Sequence, residues 1–258
     1  MKKTALMSSA VILGLAVNSA NAGLMTVFDT GVYSGWDNIT QGSSEDKTGS
    51  FNYVGPGVGG QAFDAEYILY NLDGSMLQVA VQTGFDILSD SYTHTDGRDY
   101  YAGDLALSFD GDSSTYEFAI DFGFQTYGYY GTDLDDNTEG LYSVTSWSDE
   151  VYSGHSEATP FAMKEGTLQD AVAFSLLGSG SESVDGEMSY YRAYEFDLSA
   201  LGLIDGAQLD AHWTMSCGND EVNGQVDIPP VPLPGAVWLF GSALFGFAGF
   251  RKYRRKLG

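Results

Sequence analysis

Acidic residues gather at several turns of this chain, where their carboxylate oxygens could bind a hard cation. The first candidates are Asp104, Asp110 and Asp112, in a segment that also contains glycine and serine. A second group contains Asp133, Asp135, Asp136 and Glu139. Calcium accepts six to eight oxygen ligands, so the first segment predicts a calcium site. Neither segment matches an EF-hand loop, because Thr115 replaces the required glycine in the first and the second lacks the terminal glutamate.

The histidine and cysteine residues give weaker evidence for a metal site or a catalytic site. His94, His155 and His212 are far apart in sequence and belong to no His-Glu-x-x-His or Cys-x-x-Cys motif. His212 and Cys217 lie five residues apart on a predicted strand and therefore point to opposite faces, which argues against a shared metal. Cys217 is the only cysteine, so one chain cannot form an internal disulfide. We expect a buried, inert thiol, with pairing between chains as the alternative.

Motifs typical of enzymes do not occur in a convincing context. Gly55, Gly57 and Gly60 have the spacing of a dinucleotide-binding loop, but the following residues alternate like a strand instead of forming a helix. The sequence contains no Gly-x-Ser-x-Gly motif. Carboxylate pairs for glycoside hydrolysis are defined by their separation in space, so the sequence cannot identify them. We expect a non-catalytic binding or structural domain, with a glycan-acting hydrolase as the alternative.

Aromatic side chains offer a possible surface for extracellular polysaccharide. The chain contains 17 Tyr and four Trp residues, and the tryptophans that could stack on sugar rings are Trp36, Trp147 and Trp213. Such residues more often pack in a core or on a sheet. Polysaccharide binding is therefore one hypothesis for the partner of this domain.

The elements that must position these side chains are predicted to be short strands. Apolar residues recur with period two, as in Leu77, Val79 and Val81 and in Leu105, Leu107 and Phe109. The same pattern predicts further strands at 26–28, 50–54, 67–72, 118–122, 141–147, 171–177, 194–198 and 208–215. Turn signals such as Asp-Gly separate them. The pattern favours an antiparallel β-sandwich or jelly roll, with a closed barrel as the alternative.

Three polar segments are predicted to be exposed loops. A short helical turn and the point at which the chain leaves the domain are predicted as well. The loops are expected at 40–50, 131–139 and 178–186. A short helical turn is expected at Ser199–Leu203. After Gly218 and Asn219, the chain is expected to leave the domain.

Composition limits the domain organisation and the partners. All 35 Asp and Glu residues lie between Asp29 and Asp227, where the only Lys and Arg residues are Lys47, Arg98, Lys164 and Arg192. This stretch should repel nucleic acid and anionic lipid headgroups. Residues 23–228 are long enough for one acidic, β-rich domain and too few to make two domains the better interpretation.

The amino-terminal residues resemble a secretory signal peptide. Lys2 and Lys3 precede an apolar run, and Ala20 and Ala22 supply the small residues that signal peptidase requires. We expect export through the Sec system and removal of residues 1–22, which would leave Gly23 as the first residue.

The carboxyl-terminal residues, 229–258, combine prolines, one apolar stretch and a basic end. Residues 235–250 contain no charge and would span about 24 Å as a helix, slightly less than a typical hydrocarbon core. The basic end follows: Arg251, Lys252, Arg254, Arg255 and Lys256. By the positive-inside rule this end would stay in the cytoplasm and the acidic domain would lie outside.

Prolines, apolar helix and basic end occur in the order of the PEP-CTERM sorting domain, which this tail resembles. Pro232, Leu233 and Pro234 stand where that family usually has Pro-Glu-Pro, so the central acid is replaced. The resemblance implies a Gram-negative exported protein that is held in the inner membrane and cleaved near these prolines by an exosortase. The mature form would then reach the cell surface or the extracellular matrix. A permanently anchored single-pass protein is the alternative.

Overall fold

Antiparallel β-structure dominates the part of the chain that the computed structural model describes, residues 23–41, 54–55, 58–112 and 114–230. A short helix, α1 (Thr26–Asp29), comes first, and 3-10 turns occur at Gln61–Phe63 and Ser156–Ala158. The strands are β1 (Asp37–Asn38), β2 (Ala65–Asp73), β3 (Met76–Thr83), β4 (Tyr92–Thr93), β5 (Asp99–Tyr100), β6 (Leu105–Ser108), β7 (Phe118–Asp121), β8 (Thr126–Tyr127), β9 (Asp133–Asp135), β10 (Gly140–Ser148), β11 (Ala162–Leu168), β12 (Phe174–Val184), β13 (Glu187–Asp197), β14 (Ala207–Thr214) and β15 (Glu221–Ile228).

Two sheets organise these strands. A five-stranded sheet has the order β1-β2-β3-β13-β12, and a six-stranded sheet has the order β11-β10-β7-β6-β14-β15. Two small ribbons, β4-β5 and β8-β9, accompany them. The segment from β1 to Gln41 joins the sheets at one edge, because Asn38 pairs with Leu69 of β2 and Thr40 forms a bridge to Gly224 of β15.

One hydrophobic core lies between the two sheets and confirms the period-two prediction. The five-stranded sheet contributes Leu77, Val79 and Val81, and the six-stranded sheet contributes residues of β6, β7, β10, β14 and β15. Trp213, Leu105 and Leu107 are among the largest fully buried side chains. Alternate residues of a strand point to opposite faces, so a single apolar face per strand builds this core. The arrangement is consistent with a β-sandwich.

The outer face of the five-stranded sheet is covered by residues 23–36, which the sequence pattern did not predict. A strand was expected at 26–28, but the structure has α1 at this place. Met25 and Phe28 are three residues apart, so one turn of helix places both side chains on the sheet, where they pack with Leu69 and Ala193. The prediction was wrong because the apolar partner of this segment is a sheet face, not a neighbouring strand.

The segment 178–186, expected to be a loop, is instead part of a long hairpin formed by β12 and β13. Its glycines and serines suggested a loop, but they pair with residues of β13, where Gly180 lies opposite Tyr191. A side-chain carbon at Gly178 would collide with the Tyr33 hydroxyl group. Glycine at position 178 therefore leaves space for the Tyr33 side chain. The glycine and serine content of the segment does not by itself reveal this role.

Two other predicted boundaries were wrong. Strand β9 lies within the expected loop at 131–139, where it pairs with β8. The chain does not leave the domain after Asn219, because it returns as β15, which pairs with β14 along its whole length.

Several predicted segments lie outside the described residues. These are residues 1–22, the sorting tail from residue 231 onward with its helix at 235–250, and most of the expected strand at 50–54. In the part of the chain that the structure describes, no helix has the length and apolar character to cross a membrane.

Candidate functional site

The three predicted calcium ligands are divided between the two ends of β6. Asp104 precedes the strand and is buried, and its Oδ2 accepts a hydrogen bond from Met163 N at 2.7 Å. Asp110 follows the strand, about 20 Å away by the rise of an extended chain. Its Oδ1 accepts hydrogen bonds from Asp112 N at 2.8 Å and from Ser108 Oγ at 3.1 Å. Asp104 therefore does not share a site with Asp110 and Asp112.

Local hydrogen bonds lower the pKa of the Asp110 carboxyl group. The backbone N–H of Asp112 and the hydroxyl of Ser108 favour the ionised carboxylate and lower the pKa of Asp110. In the residues that the structure describes, no group of three or more His, Cys, Asp or Glu side chains has an arrangement suited to a metal ion. Calcium binding by Asp110 and Asp112 stays a prediction.

The second acidic group contributes to structure. Glu139 Oε1 accepts hydrogen bonds from Arg192 Nη2 at 2.7 Å and from Tyr194 Oη at 3.0 Å. Asp133 Oδ1 accepts one from Gln125 Nε2 at 2.7 Å. Arg192 is itself largely buried, so its ion pair with Glu139 neutralises a charge beside the core.

The histidine and cysteine residues lie in separate surroundings. His94 is partly exposed beside Asp96, and the Nδ1 of buried His155 lies 2.8 Å from the carbonyl oxygen of Cys217. Cys217 is buried in the main core, and burial raises its pKa to about 12. This confirms the expected burial of the thiol. His212 faces away from the core, so it and Cys217 do point to opposite sides of the sheet.

A polar groove on the outer face of the six-stranded sheet is the most developed candidate site. It consists of two neighbouring cavities of about 460 and 420 Å³ that share Tyr116 and Thr159 as a common wall. The first, which we call the acidic cavity, is lined by Gln41, Tyr116, Glu157, Thr159, Asp210, Ala211, His212, Glu221, Asn223, Gly224 and Gln225. The second, the aromatic cavity, is lined by Ser114, Thr115, Tyr116, Val144, Thr145, Trp147, Asp149, Thr159 and Pro160.

The register between β14 and β15 determines which side chains form the floor of the acidic cavity. In the antiparallel pair of β14 and β15, His212 lies opposite Asn223 and Asp210 lies opposite Gln225. Their neighbours Trp213 and Val222 point into the core, so the polar side chains must point outward. Alternation thus produces a buried apolar face and a polar binding face from the same two strands.

A hydrogen-bond network fixes these polar side chains. The two oxygens of Asp210 accept hydrogen bonds from Gln208 Nε2 at 3.0 Å and from Gln225 Nε2 at 2.5 Å. His212 Nε2 donates to the Pro160 carbonyl oxygen at 3.0 Å, and His212 Nδ1 lies 2.7 Å from Asn223 Oδ1. The cavity floor is therefore held in place before any ligand arrives.

Burial determines the charges of the acidic cavity. Loss of water lowers the pKa of His212, because desolvation penalises the imidazolium form. The same effect raises the pKa of Glu221 to about 7, and the Glu157 carboxylate adds to that increase. The two groups lie close together, with His212 Nδ1 3.7 Å from Glu221 Oε2.

The aromatic cavity has a wall formed by Trp147 and Tyr116. Trp147 Nε1 donates a hydrogen bond to the Tyr116 carbonyl oxygen at 2.8 Å, and the two rings meet edge to face with centroids 6.5 Å apart. The Tyr116 ring also lies 5.8 Å from the His212 ring, so it separates the two cavities. Both aromatic side chains are only partly buried. Of the three tryptophans considered for sugar stacking, Trp147 lines a cavity, Trp213 is in the core and Trp36 packs with the amino-terminal segment.

Most residues of the groove were missed by reasoning from sequence. Glu221, Asn223 and Gln225 lie on β15, which was expected to be an exit segment. The alternation of Val222, Gly224, Val226 and Ile228 with polar residues was an available signal for this strand. Tyr116 and Glu157 lie between strands and carry no local signal, since only folding brings them to this face.

Comparisons with models of known protein families, with curated protein sequences and with solved structures find no match to this chain.

Proposed function

We propose that this chain is an exported surface or matrix protein with a non-catalytic, two-sheet sandwich domain that binds polysaccharide in the groove beside Tyr116. The observation that carries the proposal is the combination of an aromatic wall with a fixed floor of carboxylate and amide groups in two adjoining cavities that share Tyr116 and Thr159. The apolar face of a sugar ring packs on aromatic side chains, while its hydroxyl groups hydrogen-bond to carboxylates and amides.

A binding experiment with a matched control tests the polysaccharide proposal. Trp147→Ala should weaken the affinity for oligosaccharides about three- to tenfold, because it removes the aromatic wall. Trp147→Phe should restore most of the affinity. Tyr130→Ala is the control, since Tyr130 is 61% exposed and lies outside the groove. Calorimetric titration of the full-length chain with a panel of oligosaccharides gives the affinities. Equal binding by the Trp147→Ala and Tyr130→Ala variants would refute the site.

Export and sorting form the second part of the proposal. The tail from Pro232 to Lys256 supports processing by an exosortase, with Pro232, Leu233 and Pro234 as recognition residues and the catalytic groups supplied by that enzyme. Proline favours an extended backbone before it, which would keep the cleavage region open to an active site just outside the membrane. Mass spectrometry of the mature carboxyl terminus tests this part, because an intact tail in cells with an active exosortase would contradict it.

A glycan hydrolase is the second candidate, and the acidic cavity provides the observation that favours it. Glu221, with a pKa of about 7, has the protonation behaviour of a general acid, and Asp210 shares its cavity. Both oxygens of Asp210, however, already accept hydrogen bonds from glutamine side chains, which favours a structural role for this carboxylate. Product formation from an oligosaccharide that is abolished by Glu221→Gln would establish the hydrolase.

A further inference from the structure

The groove carries an excess of negative charge that restricts its ligand. Glu157 and Asp149 are exposed at the acidic and aromatic cavities respectively, and Asp210 lies on the floor of the acidic cavity. Neither lining contains a lysine or arginine. A polysaccharide rich in uronic acid or sulfate groups would therefore bring like charges together in a partly desolvated place.

The described basic residues lie elsewhere and cannot compensate for these carboxylates. Arg192 is paired with Glu139, and the Arg98 guanidinium lies 4.3 Å from the centroid of the Tyr129 ring. Lys164 is on β11 and belongs to neither cavity lining. Burial lowers the pKa of His212, because desolvation penalises the imidazolium form. The described lysine and arginine side chains therefore supply no compensating cation to the groove, and a cationic ligand can supply one.

We propose that the ligand of this groove is a polysaccharide that carries protonated amino groups, such as a hexosamine polymer with free amines. This inference rests on the proposed polysaccharide-binding function. Each ammonium group could pair with the carboxylate of Glu157 or Asp149 and donate hydrogen bonds to it. The faces of Trp147 and Tyr116 attract cations as well as sugar rings, which favours this ligand over a neutral glycan. The same aromatic wall favours a sugar polymer over a basic peptide.

Matched oligosaccharides separate the effect of charge from the effect of sugar binding. The probes are a hexamer of glucosamine, the fully N-acetylated hexamer of the same length and a hexamer of galacturonate. They are titrated into the full-length chain in a mild detergent at pH 6 and low salt. The glucosamine hexamer should bind about tenfold more tightly than the N-acetylated hexamer, and the galacturonate hexamer should bind least. The preference should shrink at high salt, because salt screens exposed charges.

Two charge-removing variants show whether the preference arises in the groove. Asp149→Asn with Glu157→Gln should bring the affinity for the glucosamine hexamer close to that for the N-acetylated hexamer, whose binding should change little. The control variant, Glu187→Gln with Asp205→Asn, removes the same charge at two exposed positions outside both cavity linings. This control should keep the tenfold preference.

The possible outcomes distinguish this inference from the function on which it rests. Equal binding of the charged and N-acetylated hexamers, both weakened by Trp147→Ala, would refute the inference and retain polysaccharide binding. Binding of none of the hexamers would refute both. A preference that survives in the groove variant, or equally tight binding of hexalysine, would mean attraction to the acidic surface in general and would also overturn the inference.

Discussion

Individual buried carboxyl groups make the stability of this domain depend on pH. Glu66 is 3% exposed and accepts hydrogen bonds from Gln82 Nε2 at 2.6 Å and from Ser189 Oγ at 2.7 Å. Burial nevertheless raises its pKa to about 7. Nearby, burial raises the pKa of Asp64 to about 6, and Asp64 shares a hydrogen bond with the buried carboxyl of Asp220. In the folded state these groups hold protons that the unfolded chain releases at lower pH.

The sign of the effect follows from this difference in proton binding. Because the folded state binds more protons between about pH 4.5 and pH 7, the free energy of unfolding should fall as the pH rises through this range. Glu66→Gln removes one such group and should make the decrease between pH 5 and pH 7.5 smaller by about 2 kcal/mol. Denaturant unfolding at pH 5 and pH 7.5 measures the change. Glu165→Gln, on the exposed part of β11, is the control and should keep the original dependence. Identical pH profiles for the original chain and Glu66→Gln would rule out this assignment.

At the scale of elements, the amino-terminal segment acts as a cover for one sheet. Buried Gln82 binds this segment, because its Oε1 accepts a hydrogen bond from Met25 N and its Nε2 donates one to the Gly23 carbonyl oxygen, both at 3.0 Å. Phe28 packs against Tyr191, with ring centroids 5.3 Å apart. A segment in which a strand was predicted therefore forms a helix-containing cover that buries part of the outer sheet face.

Truncation of Phe28 tests this cover. Phe28→Ala should lower the free energy of unfolding by about 3–5 kcal/mol, because the removed ring leaves a cavity between α1 and the sheet. Val32→Ala, at a position that is 79% exposed in the same segment, should change it by less than about 0.5 kcal/mol. Chemical denaturation of both variants provides the comparison. Similar stabilities would show that residues 23–36 contribute little to the fold.

At the scale of the whole molecule, the acidic domain and the basic tail have separate proposed roles. The domain would bind its ligand outside the cell, and the tail would keep the precursor in the membrane until cleavage. The prolines at positions 229 and 230 follow β15 directly, and the proposed tail begins with them. This arrangement would let an enzyme cut the tail without unfolding the domain.

Two changes in the tail test its role in cells that contain an active exosortase. Deletion of residues 240–250 should release the domain in soluble form, because the remaining apolar segment is too short to hold it in a bilayer. Substitution of Pro232 and Pro234 by alanine should accumulate the uncut precursor. Alanine at Pro229 and Pro230 is the control and should leave processing intact. Cell fractionation with mass spectrometry of the carboxyl terminus gives the result, and normal processing of the Pro232 and Pro234 variant would contradict the sorting proposal.

The sequence by itself determined the dominant class of secondary structure and the inward faces of the principal strands. Leu105 and Leu107, or Tyr194 and Phe196, face the core as their alternation predicts, because side-chain direction along a strand is a local property. The local charge and hydrophobicity of the two ends predict export and a membrane segment, whereas sorting is implied by the resemblance of the tail to the PEP-CTERM domain.

Only the tertiary structure decided which polar residues come together. The groove unites Tyr116, Trp147, Glu157 and the polar face of β15, which are distant in sequence. The physical reason is that strand pairing and the packing of loops on a sheet depend on long-range partners, whereas alternation and composition depend on neighbouring residues.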